Sequence, residues 1–188
     1  MKMKIEFSPQ AFFKEFSIPI PDKYKASVGR RGLNIPTECW IVQGAGESDH
    51  SPLNAFDNAL VNAGIGHLNL ITYSSIIPKF VSYRDNPVDI SPGTETGIIL
   101  ANASGSQGDT ISAGLSIAPV ADYFIVYESH SQADSQETEE LLIASTREAI
   151  HIRGETGDSI FIRTIEKTVV KRFGHALVAI VFNPATYL

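Results

Sequence analysis

The stretch Ser51–Pro78, SPLNAFDNALVNAGIGHLNLITYSSIIP, dictates a compact local order. Ser51 is a good helix N-cap, and Pro52 suits the first helical position, where no N–H is needed. Leu53, Phe56, Leu60 and Ala63 recur at helical spacing and predict one apolar face along a helix. Gly64 follows where a left-handed residue ends such a helix. Ile65-Gly66 turns the chain, and His67 to Tyr73 then alternates as a strand. Leu68, Leu70 and Thr72 fall on one face, and Asn69, Ile71 and Tyr73 on the other. The strand ends in Ser74-Ser75, followed by Ile76-Ile77-Pro78.

The rest of the chain is read around this unit. Residues 1–36 carry Phe7, Phe12, Phe13 and Phe16, are broken by four prolines, and gain local basic character from Lys23, Lys25, Arg30 and Arg31. They form an N-terminal extension packed on the domain or on a neighbouring subunit, with residues 37–188 as a single domain. Thr37–Gln43 alternates as a strand, with Cys39 and Ile41 opposite Trp40 and Val42, and residues 44–50 read as a loop. That loop is no phosphate cradle, because no Lys-Ser/Thr follows its glycines. Residues 79–92 read as loop with a short extended piece, 97–102 as a strand, 103–108 as a flexible turn, and 109–118 and 121–128 as strands. A helix over 135–153, capped by Ser135 and stopped at Gly154, precedes two last strands over 160–170 and 176–182. Strands outnumber helices without regular alternation, which is an α+β pattern.

With 188 residues the chain can bury one substantial core. Its net charge of −6 speaks against nucleic acid as a partner, and no apolar run is long enough to span a bilayer. The single Cys39 permits no internal disulfide and suits a reducing cytoplasm. The five histidines show no metal-binding spacing, and no G-x-S-x-G elbow is present, so neither a metal centre nor a hydrolase triad is expected.

The run PLNAFDxALxNAGIGxxNLIxxSSIxP resembles the pyruvoyl-dependent arginine decarboxylases. The similarity continues through GTETGIILANASGSQGDTISAGLSIAP at residues 93–119 and into the last 60 residues or so. The resemblance implies a two-sheet sandwich with outer helices, αββα-like, self-cleaved into β and α chains. It also implies trimers of αβ units, or a multiple, with active sites between subunits. The cofactor it implies is a covalent pyruvoyl group formed from Ser75.

Amino-acid decarboxylation needs an electrophilic carbonyl that forms a Schiff base with the substrate amine, and no ordinary side chain supplies one. The Ser74-Ser75 pair can make it. The Ser75 hydroxyl attacks the Ser74 carbonyl and converts the amide to an ester. Loss of the Ser75 α-proton expels the Ser74 carboxylate, and water hydrolyses the resulting dehydroalanine to pyruvoyl with release of ammonia. Cleavage between 74 and 75 leaves chains of 74 and 114 residues. Such an attack requires a polarised peptide bond, and the resemblance assigns support of processing to Asn69.

The family's substrate-binding aspartate falls on Asp57, a carboxylate suited to the guanidinium of L-arginine. Leu53, Gly66 and Leu68 match positions that shape the family's pocket. Glu128, in FIVYESH, is the candidate acid that reprotonates Cα, with a family-like Glu-Tyr order replaced by Tyr127-Glu128. The expected product is agmatine, a polyamine precursor, and the reaction also consumes a proton. Two alternatives remain: the same chemistry on another amino acid, or an unprocessed, non-catalytic paralogue that binds a cationic metabolite.

Overall fold

A computed structural model describes residues 4–6, 8–25 and 35–187. Phe7, Arg30 and Arg31, part of the expected aromatic and basic N-terminal segment, lie outside them. The elements in chain order are β1 (Lys4–Glu6), α1 (Pro9–Phe16), α2 (Asp22–Lys25), β2 (Glu38–Ser48), α3 (Pro52–Asn62), β3 (Asn69–Thr72), β4 (Ile76–Pro78) and β5 (Ser82–Tyr83). They continue with β6 (Glu95–Ser106), β7 (Thr110–Pro119), β8 (Tyr123–Ser131), α4 (Ser135–Ile152), β9 (Ser159–Thr168) and β10 (Phe173–Phe182).

Two mixed sheets face each other, one ordered β1-β9-β7-β8-β4 and the other β3-β6-β10-β2-β5. Alternation drives this layering. Leu115, Ile117, Phe124, Val126 and Phe161 of the first sheet meet Cys39, Ile99, Val178, Ile180 and Phe182 of the second in one core. On the outer face of the first sheet, Leu142, Ala149 and Ile150 of α4 cover Ile125, Ile160 and Ile162. On the outer face of the second, Trp40, Val42, Ala179 and Val181 pack with Leu60 and Ala63 at the C-terminal end of α3. The result is the expected αββα sandwich, and Cys39 and Ile41 do face away from Trp40 and Val42.

Several boundaries differ from the sequence reading, each for a packing reason. The strand expected to stop at Gln43 runs on to Ser48, with Gly44 and Gly46 inside it. Those glycines are the seat of α3: a Cβ on Gly46 would stand 2.3 Å from Ala59 N, and one on Gly44 2.3 Å from Ala59 O. The buried stripe of α3 is accordingly Ala55 and Ala59, while Leu53, assigned to the apolar face, is 74% exposed. Asn58 and Asn62 clamp the contact by donating Nδ2–H to the carbonyls of Glu47 and Ala45, at 3.0 and 2.7 Å. Ser51 caps α3 as expected, accepting from Asn54 N–H at 3.1 Å.

The flexible turn expected over 103–108 is mostly strand, since β6 continues to Ser106 in register with Phe173. Only the last corner turns, where Gly108 has φ 93 and the Asp109 carboxylate accepts from Ser106 N–H at 2.7 Å. The cap of α4 is Asp134 rather than Ser135, its carboxylate accepting from Glu137 N–H at 3.1 Å. The N-terminal segment contributes to the central core. Phe12 and Phe13 are 0% and 2% exposed against Phe124, Phe161 and Tyr83, a burial worth about 2–3 kcal/mol per ring. Ile18 N–H donates to Lys79 O at 3.0 Å, and Ser17 Oγ–H to Val81 O at 3.2 Å. Among the described residues, no helix is long and apolar enough to cross a membrane.

Candidate active site

β3 belongs to the second sheet and β4 to the first, so Ser74-Ser75 is where the chain crosses between them. Both sides of the crossing are anchored. Before it, Tyr73 N–H donates to Ile98 O at 2.7 Å, and the Tyr73 ring stacks on Phe182 at 5.6 Å between centroids. That ring lies over Gly97, where a Cβ would come within 2.5 Å of it. After the crossing, Ile76 and Ile77 pair with Ile125 and Phe124 of β8, and Ile77 is fully buried.

The linking residue takes up the turn. Ser75 has φ 47, the only positive φ outside glycine among the described residues. For an L-residue with a Cβ this costs roughly 1–2 kcal/mol, supplied by the anchored strands on either side. Its carbonyl accepts from Val126 N–H at 2.9 Å, and its hydroxyl donates to Glu128 Oε1 at 2.6 Å. The period of two along β8 places Phe124, Val126, Glu128 and His130 on one face. The first two fill the core, and the next two project past its edge. Glu128 is open to solvent along much of its length, yet protein crowds its carboxyl. Burial raises its pKa above the ordinary carboxylate value, partly offset by the hydrogen bonds from Ser75 and from its own backbone N–H.

Beyond the crossover the sandwich has an open side. β3 covers β6 only as far as Ile98, and β4 covers β8 only as far as Ile125, so among the described residues both strands continue as free edges. Between them lies a cavity of about 320 Å3, lined by Leu100, Asn102 and Ser104 of β6, by Glu128 and His130 of β8 and by Gln132 just after it, among others.

Of the residues chosen from sequence, Ser74, Ser75 and Glu128 are brought together. The others stand elsewhere in the single chain. Leu53 and Asp57, one helical turn apart on α3, are exposed on the outer side of the second sheet, and the Asp57 carboxylate has no partner among the described residues. Gly66 is exposed in the turn after α3, and Leu68 packs half-buried in the cluster around Trp40 and Ile90. Asn69 opens β3, roughly 16 Å of extended strand before Ser74, and its Nδ2–H is given to Gly93 O at 2.7 Å. Sequence reading missed the Val126 N–H and the β6 edge. A backbone donor leaves no trace in side-chain identity, and Asn102 lies far from the serines in sequence. The alternation of FIVYESHS was the one available signal for His130.

A group made from Ser75 fits this setting. The carbonyl that joins it to Ile76 is already held by Val126 N–H, and Glu128 lies beside the atoms that would carry the new carbonyl.

A family model described as pyruvoyl-dependent arginine decarboxylase matches residues 38–186. Curated proteins of that name are similar over most of their length. The one from Methanothermobacter thermautotrophicus is 34% identical over 144 residues, covering 76% of this chain and 93% of the relative. The Methanocaldococcus jannaschii protein is 34% identical over 145 residues, with 74% and 86% covered. The Pyrococcus furiosus protein is 31% identical over 148 residues, with 77% and 94% covered. With its serine crossover, its glutamate and this extended match, the chain belongs to the pyruvoyl-dependent arginine decarboxylase family.

Proposed function

We propose that the chain cleaves itself between Ser74 and Ser75 and then decarboxylates L-arginine to agmatine and carbon dioxide. The observation that carries this reading is the hydroxyl of Ser75, a residue with left-handed φ at the crossover between two sheets, held 2.6 Å from Glu128. In processing, Glu128 takes the hydroxyl proton as Ser75 Oγ attacks the Ser74 carbonyl, and the anchored strands hold that carbonyl beside it. The strain at Ser75 is relieved once the peptide bond opens.

Family membership implies a covalent pyruvoyl group, which supplies the electrophilic carbonyl for the substrate amine and the sink for the electrons left by carbon dioxide. Val126 N–H and Glu128 are the residues that would hold it. Glu128 then changes role. Its hydrogen bond from Ser75 disappears, because that oxygen leaves with the Ser74 carboxylate. Burial is left to raise the Glu128 pKa without that opposing contact, which favours the acid form that returns a proton to Cα.

Arginine recognition is assigned to Asp57, with Leu53, Gly66 and Leu68 shaping the pocket and Asn69 supporting processing. These residues lie on α3 and its following turn and strand, away from their own chain's Ser75. Each site is therefore completed by a neighbouring copy, in a trimer of αβ units or a multiple. Exposed Leu53, Val61 and Ile71 on the same elements supply apolar surface for that contact, at 74%, 59% and 44% exposure. Residues 37–188 form the decarboxylase domain and 1–36 its extension, and the buried, disulfide-free Cys39 suits the cytoplasm.

The denatured mass of the purified protein tests the reading. Two chains divided between residues 74 and 75, the larger with a blocked, borohydride-reducible N-terminus, are expected. One intact chain after long incubation at neutral and acid pH would overturn self-processing and favour a binding paralogue.

A further inference from the structure

Beyond Glu128, the open side of the sandwich has polar lining residues that neither processing nor guanidinium binding uses. Glu128 is the sole acid among the described residues that line the cavity, and Asn102, His130 and Gln132 bring N–H donors to it. Neither Asn102 nor His130 has a side-chain hydrogen bond among the described residues, and both are exposed to the cavity. His130 follows Glu128 by two residues on the same face of β8, about 6.7 Å along the strand. Asn102 stands across the opening on the free edge of β6.

An amino-acid substrate brings three groups to the site. Its amine goes to the carbonyl made from Ser75, and its guanidinium to Asp57 of a neighbouring copy. Its α-carboxylate needs N–H donors beside Ser75, clear of the glutamate that must deliver a proton to Cα. The open side offers those donors one step beyond Glu128, in a space large enough for the head of an amino acid. We propose that this cavity is the subsite for the substrate's α-carboxylate, held by side-chain N–H groups of His130 and Asn102. The proposal rests on the reading of the protein as an arginine decarboxylase. Fixing the carboxylate there sets the orientation of the Cα bond that breaks. It also makes the site selective for an amino acid over a simple amine.

Two unreactive ligands separate this role from a general structural one. 5-Guanidinopentanoate has the guanidinium and carboxylate of arginine but no α-amine, and butylguanidine lacks the carboxylate as well. Calorimetric titration of both is made on the parent and on His130→Ala, Asn102→Ala and His130→Gln, each first checked for cleavage by denatured mass. Loss of a charge-assisted hydrogen bond weakens 5-guanidinopentanoate about tenfold in each alanine variant. Butylguanidine stays within about twofold, since its affinity draws on no carboxylate contact. His130→Gln, which keeps an N–H donor, recovers most of the affinity, and the arginine KM rises in the alanine variants more than kcat falls. Equal weakening of both ligands, unchanged affinity for the carboxylate, or loss of cleavage in the alanine variants would overturn the subsite while the decarboxylase reading stood. A parent that stays intact and binds neither ligand would overturn both.

Discussion

Ser75 Oγ and Glu128 Oε1 are 2.6 Å apart, although 53 residues separate them in sequence. The contact exists because β4 pairs with β8 immediately after the crossover, bringing Ser75 beside Val126 and, one strand period further, Glu128. Processing and proton return can thus share one carboxylate.

Replacing the nucleophile gives the simplest outcome. Ser75→Ala leaves the same backbone geometry and the Val126 contact but has no hydroxyl to attack the Ser74 carbonyl. A single full-length mass and no agmatine are expected, with a folded protein by circular dichroism. Agmatine production by this variant would remove Ser75 from the chemistry.

Glu128→Gln keeps the shape and loses the exchangeable proton. Cleavage and turnover each slow by about 10²–10³-fold, the usual worth of a positioned acid or base. The pH dependences run in opposite directions. Burial raises the Glu128 pKa, so cleavage, which needs the carboxylate, climbs as pH rises through that value. Turnover needs the acid and falls as pH rises through the pKa of the processed enzyme, which has lost the lowering contact with Ser75. The turnover midpoint should therefore lie above the cleavage midpoint in parallel pH profiles, and the reverse order would exclude a shared role.

The seat of α3 is tested by one methyl group. In Gly46→Ala the new Cβ would meet backbone atoms of Ala59 and Ala55 at 2.3 and 2.5 Å, so the helix must move. A loss of about 3 kcal/mol in urea denaturation is expected, typical of overpacking without room to relax. Gly157→Ala, whose Cβ would meet only Pro119 O, at 3.7 Å, among the described residues, is the near-neutral control. Similar losses in both variants would mean that the helix yields easily.

Asp57→Ala is expected to allow cleavage and raise the arginine KM steeply, because it removes the carboxylate assigned to the guanidinium. If Asp57 serves a neighbour's Ser75, co-expression with Ser75→Ala restores activity. In a symmetric ring mixed at random, about a quarter of the sites pair an intact Asp57 with an intact Ser75. Activity near that fraction, from two inactive partners, supports a shared site, whereas no recovery would place both residues in one chain's site.

The local order of the Ser51–Pro78 unit was legible because short-range chemistry fixes it. Ser51, Pro52 and Gly64 cap, start and stop α3, and the alternation after Gly66 makes β3. The face that α3 buries was not legible, since helical spacing ranks Leu53 above Ala55. The structure selects the small residues because Gly44 and Gly46 lie beneath them in a strand that reads as a loop. The crossover was equally hidden: nothing in TYSSIIP says that β3 and β4 belong to different sheets, a choice made by pairing with β6 and β8 far along the chain. Glu128 was found by likeness to a family, but its bond to Ser75 is a product of strand register.

His175 provides the last prediction, on stability. It is 8% exposed on β10, its ring 4.6 Å from that of Phe56, and its Nε2 has no hydrogen-bond partner among the described residues. Burial lowers its pKa, so the folded protein keeps the imidazole neutral where the unfolded chain would protonate it. The unfolded chain thus binds more protons, and stability falls as pH drops through the unfolded value of about 6.5, levelling off below the depressed folded value. His175→Phe removes this contribution and keeps an aromatic ring against Phe56. Urea midpoints of parent and variant, compared at pH 8 and pH 5, should show the parent losing more stability on acidification. An equal loss in both would mean that the ring reaches water when protonated and that its burial does not govern the acid response.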